Sequence, residues 1–150
     1  MILNTLAGMK KQKLIADFDY NFKLFGITSS VAEHKIAWEI NQSLFINLVK
    51  KADIKIKFLN NQNLIISNFL FEREESNLRL LKNKAVDVES GNPLYLLPEV
   101  KQFDYIIIIT GFEQTFEPEK VISKLNKIDV IQYIINLDVD KLKSKENLVF

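Results

Sequence analysis

The sequence predicts an α+β two-layer sandwich: a mostly antiparallel sheet with two helices on one face, in the order β-α-β-β-β-β-α-β. Three observations carry that expectation. Residues 106–109 are four consecutive isoleucines, apolar on both parities, as suits a central strand covered on both faces. Several other stretches alternate apolar and polar residues, the period of a half-buried strand. Only two stretches, one after Ser30 and one after Glu117, carry apolar residues at helical spacing.

Composition agrees with a single globular domain. The chain has 150 residues, 47% hydrophobic and 26% charged, with a net charge of +1, enough apolar content to bury a core and too little net charge to favour disorder. No run approaches the roughly 20 apolar residues of a membrane helix, so no membrane role is expected. Cysteine is absent and His34 is the only histidine, which excludes disulfides, thiolate catalysis and Cys- or His-rich metal sites. A cytoplasmic location fits that composition. Residues 1–12 are read as a disordered extension, with Met9 a better start than Met1 and no signal-peptide lead. Residues 13–150 are read as the domain with a C-terminal tail.

In chain order, residues 14–24 alternate, with Leu14, Ala16, Phe18, Tyr20, Phe22 and Leu24 on one parity. This is a strand with one wet face, ended near Gly26. Asp17 and Asp19 lie on that wet face, where a solvated surface is a simpler reading than a metal site, since no third ligand stands nearby. Ser30 and Glu33 fit a capping box, and Ile36, Ala37, Ile40, Leu44 and Leu48 form the core stripe of the first helix. Trp38 stands beside its polar side. Ile54, Ile56 and Phe58 alternate with lysines, and residues 60–63 form a turn. Residues 64–71 are the return strand. Residues 78–83 read as a strand at an edge, where Lys82 and Lys84 discourage further pairing. After a loop, residues 103–110 form the central strand. Glu117 and Pro118 open the second helix, and residues 130–139 alternate as the last strand, making a strand–helix–strand crossover.

The densest motif is Leu97-Pro98-Glu99, three residues, then Phe103-Asp104-Tyr105. It resembles the motif of the IPExxxVDY family of small bacterial proteins. Asp17-Phe18-Asp19-Tyr20, Leu24-Phe25-Gly26-Ile27, Trp38-Glu39-Ile40-Asn41 and the closing Lys143-Ser144-Lys145-Glu146-Asn147-Leu148 are similar to other parts of that family. Leu97 stands where the family name has Ile, and Phe103 where it has Val. The resemblance implies a cytoplasmic bacterial protein of the Bacteroidetes group. It brings no catalytic residues and no assigned activity.

Pro98, Glu99, Asp104 and Tyr105 are therefore the candidate functional motif, with turn chemistry as the simpler reading of their polar groups. Phosphate-loop, nucleophile-elbow and triad patterns are missing, so neither an enzyme nor a cofactor is expected. The leading expectation is a non-catalytic interaction module with a protein partner or a homo-oligomer, through Trp38, Leu148 and Phe150. The alternative is a small-ligand or RNA-binding domain. It would use the loop of residues 90–98 with Glu99 and Tyr105, or a lysine stripe of Lys120, Lys124 and Lys127 contacting phosphates, with Lys50, Lys51, Lys55 and Lys57 as a second cluster.

Overall fold

A computed structural model of the chain describes residues 20–58, 62–86, 92–111 and 116–150. Within them, strands and helices follow the expected order: β1 (Lys23–Thr28), α1 (Glu33–Leu44), β2 (Val49–Lys57), β3 (Asn63–Glu72), β4 (Ser76–Lys82), β5 (Tyr105–Gly111), α2 (Pro118–Leu125) and β6 (Tyr133–Leu137). The sheet runs β2-β3-β4-β5-β1-β6, and each of these pairings is antiparallel. β5 and β6 therefore run the same way with β1 between them, linked through α2.

β5 is the central strand that its isoleucines require. Ile106, Ile107, Ile108 and Ile109 are all buried, at 4% exposure or less. Each stabilises the fold by roughly 1.5–3 kcal/mol through removal from water. Ile107 and Ile109 join Phe25, Ile27, Leu78 and Leu80 on the face that carries both helices, through Ile36, Ala37 and Ile40 of α1 and Val121 and Leu125 of α2. Ile106 and Ile108 face the other way, with Leu24 and Leu81.

That second face is not wet, as the first-strand pattern had suggested. Irregular chain covers it. Leu96, Leu97 and Phe103 from the β4–β5 connection and Val139, Leu142 and Leu148 from the C-terminal segment complete its core. These residues supply the apolar layer that a helix would otherwise provide.

Other expectations need correction. Gly26 does not end a strand; it lies in the middle of β1. Its missing side chain leaves room for the Phe103 ring, since a Cβ there would stand 2.6 Å from Phe103 Cγ. Residues 14–19, with Asp17 and Asp19, lie outside the described residues, as does the expected extension at 1–12. The capping box does not form. Ala32 is the N-cap of α1, with no side-chain cap bond. The Ser29 hydroxyl donates instead to the Val130 carbonyl at 2.6 Å, which ties the helix entrance to the β6 side. α1 ends at Leu44, before Leu48, because Phe45 takes a left-handed conformation (φ 57°, ψ 47°). Asn41 Oδ1 then accepts the Leu48 amide at 2.7 Å and seats that buried leucine. β2 begins earlier than expected, at Val49, with a register shift between Lys51 and Ile54. β4 is interior, paired to β3 and β5; the edges are β2 and β6. β6 is shorter than the alternating run that announced it.

Candidate functional site

The motif between β4 and β5 is organised by a residue outside it, the buried Asn83. Its side-chain amide donates to the carbonyls of Val100 (3.2 Å) and Phe103 (3.0 Å), and its Oδ1 accepts the Leu97 amide at 2.8 Å. Its backbone accepts the Leu96 amide and donates to the Asp104 carbonyl. Such a buried, fully used side chain holds an irregular loop in one shape. Pro98 opens a single 3₁₀ turn, Pro98–Val100, a position that needs no amide donor.

The three polar motif residues diverge. Glu99 reaches the C-terminal segment, accepting from the Ser144 amide at 2.8 Å and from the Ser144 hydroxyl. Partial burial pushes the Glu99 carboxyl up, and the bonds from Ser144 and nearby backbone amides outweigh it, so its pKa lies below the ordinary value. Asp104 accepts the Ser29 amide at 2.9 Å. Tyr105 is buried and donates its hydroxyl to the Val31 carbonyl. Burial, then the charges of Glu33 and Asp104, push that phenol up to about 12. At neutral pH it is a fixed donor, not a base.

Asp104 and Tyr105 do share one feature, which Glu99 does not join. A cleft of about 490 Å³ opens at the start of β5. One wall is the β1–α1 connection, residues 29–32. The other carries Lys82 at the end of β4, Lys84, Tyr95 and Lys101, with Phe103, Asp104 and Tyr105 between. Lys84 and Tyr95 face each other across an isolated bridge, so the loop returns to the end of β4 and brings Tyr95 beside the lysines. Lys82, Lys84 and Lys101 are exposed. Among the described residues none of the three has a carboxylate within salt-bridge reach. The amino end of α1 has no side-chain cap, and Glu33 in its first turn offsets the positive end of the helix. The arrangement favours an anion over a cation or a neutral ligand. No group of three His, Cys, Asp or Glu suited to a metal occurs among the described residues.

The remaining candidates stand apart from this cleft. Trp38 is 53% exposed on α1, with the Lys35 ammonium 4.9 Å above its ring. Phe45, which the sequence reading passed over, is 85% exposed. Leu148 is a correction: it is buried in the protein's own second core and offers no free contact. Phe150 is exposed at 44%, with the Arg79 guanidinium 5.3 Å from its ring. Lys120 and Lys124 are exposed on α2 and Lys127 just past its end, and Lys120 pairs with Glu117 at 3.5 Å. His34 is exposed on α1.

Sequence reasoning did not group Lys82, Lys84, Lys101 and Tyr95. Its only signal was two lysines flanking Asn83, which it read as edge protection. Comparison with family models, with curated proteins and with solved structures finds no match. No helix among the described residues is long and apolar enough to cross a membrane.

Proposed function

We propose that the protein is a non-catalytic binding domain whose cleft at the start of β5 takes an anionic ligand. The observation that supports this is the convergence of Lys82, Lys84 and Lys101 on one cavity of about 490 Å³ without carboxylate partners among the described residues. Unpaired ammonium groups around a concave site form a region of positive potential that an anion neutralises. Asp104 and Tyr105 act as supports for the cleft wall, because both are engaged by backbone groups. Within this reading the protein is a cytoplasmic member of the family its motif resembles.

Thermal unfolding against a panel of anions tests the reading. Pyrophosphate at a hundredfold excess over its Kd should stabilise by about 2.7 kcal/mol, whereas chloride at matched ionic strength should not. Joint replacement of Lys82, Lys84 and Lys101 by Gln should remove the difference. An equal response to every anion would count against a site.

A second reading keeps the interaction module, with a second copy of this chain as the partner. Trp38 and Phe45 support it: they are seven residues apart and both exposed on the flank of α1. Sedimentation equilibrium decides it. A native dimer that Trp38→Ala with Phe45→Ala converts to monomer would favour it, and a monomeric native protein would end it.

A further inference from the structure

The strand register extends the cleft into a larger basic surface. Lys55 and Lys57 of β2 stand opposite Ile65 and Asn63 of β3. These share a parity with Phe69, which belongs to the core on the helix-bearing face. Lys82 stands opposite Tyr105, which belongs to that same core. Lys55, Lys57 and Lys82 therefore occupy one face of the sheet. They also share one end of it, because β2 and β4 both pair antiparallel with β3 and so run the same way. Only β3 separates the two strands, about 10 Å across the sheet, and the register sets Lys55 and Lys57 a further two and four residues along it, so they lie about 12–17 Å from Lys82.

Lys55 and Lys57 are exposed and, like the cleft lysines, have no carboxylate within salt-bridge reach among the described residues. Lys50 differs, since it pairs with Asp53 at 3.0 Å. The acidic residues of the β3–β4 turn, Glu72, Glu74 and Glu75, lie at the opposite end of the sheet. The lysine end is not free of acid, since Asp104 lines the cleft and Glu33 lies close enough to act on Tyr105, but the five lysines outnumber them. A small anion needs only the cleft. Five lysines with no carboxylate partner among the described residues, continuing two strands beyond it, suit a ligand with repeated negative charges. Tyr95 lines the cleft half-buried and offers a ring on which a base can stack.

We propose that the protein binds single-stranded nucleic acid across this end of the sheet. One phosphate sits among Lys82, Lys84 and Lys101, and the strand continues over β3 to Lys55 and Lys57. The proposal rests on the cleft reading above and names the class of its ligand.

Fluorescence anisotropy of a labelled single-stranded oligouridylate, with the full chain across a salt series, tests it. Pyrophosphate binding, measured in parallel, reports on the cleft alone. With about three phosphates neutralised, log K should fall with log salt at a slope of about −2. Lys55→Gln with Lys57→Gln should weaken oligonucleotide binding about tenfold and make the slope shallower by about 1.4, while pyrophosphate binding stays unchanged. The cleft triple variant should lose both ligands. Lys120→Gln, Lys124→Gln and Lys127→Gln together should change neither. Oligonucleotide binding that ignores Lys55 and Lys57, or equal competition by polyglutamate, overturns this proposal and leaves the cleft reading standing. Pyrophosphate that does not bind overturns both.

Discussion

Single residues decide how the two faces of the sheet meet their covers. Gly26 is needed because the Phe103 ring occupies the place of a Cβ, 2.6 Å away. Gly26→Ala should cost about 1–3 kcal/mol by overpacking, read from urea denaturation. Pairing it with Phe103→Leu should recover part of that loss, and an uncoupled pair would sink the explanation. The sequence reading took Gly26 as a breaker because glycine usually marks one; the ring that needs the space lies 77 positions along the chain. Tyr105 joins the sheet to the α1 entrance through the Val31 carbonyl. Its folded-state pKa, about 12, lies above the ordinary 10.0. The unfolded chain therefore loses this proton first, so the stabilisation is complete below about pH 10 and is lost as pH rises toward 12. Tyr105→Phe should cost roughly 1 kcal/mol at neutral pH by leaving that carbonyl unpaired. It should also flatten the decline in stability between pH 10 and 12, and an unchanged alkaline decline would assign it to another group.

At the scale of elements, the C-terminal segment acts as the second cover of the sheet. Glu99 holds it through Ser144, and the Asn147 side chain donates to the Leu96 carbonyl at 2.9 Å. Leu148 and Val149 are buried beneath. Removing residues 144–150 should therefore cost about 3–6 kcal/mol, since two buried aliphatic side chains are worth roughly 1.5–3 kcal/mol each. A truncated chain of native stability would refute that role. Glu99→Gln should cost about 1 kcal/mol, a charge-assisted bond discounted for solvent exposure. The depressed carboxyl makes this contribution present above the ordinary glutamate range and lost as pH falls through the folded-state pKa. Stability curves of native and Glu99→Gln protein should converge at acid pH. The main elements were legible for local reasons. Ile36, Ala37 and Ile40 state α1 by spacing alone, and four consecutive β-branched isoleucines favour a doubly covered strand. The tail was not legible. An apolar end on a charged segment fits its own sheet or a partner equally well, until Glu99 and Leu96 are seen to hold it.

For the whole molecule, the arrangement of strands creates the site. The cleft draws residues 29–32, Lys82, Lys84, Tyr95 and Lys101 from separate parts of the chain. They meet because β4, β5 and β1 are neighbours. No local period encodes that neighbourhood, so Lys82 and Lys84 looked like guards of an edge that is in fact an interior strand. The motif lies in a loop that lines the cleft, while its most prominent acid, Glu99, faces the tail and not the cleft. The most direct test of an anion-binding cleft is an amide chemical-shift titration of the native protein with pyrophosphate. The account predicts saturable shifts at residues 29–33, 82–84, 95 and 101–105, lost when Lys82, Lys84 and Lys101 are replaced together by Gln. Shifts spread evenly over exposed lysines, those of α2 included, or no saturable shift at the cleft, would contradict it.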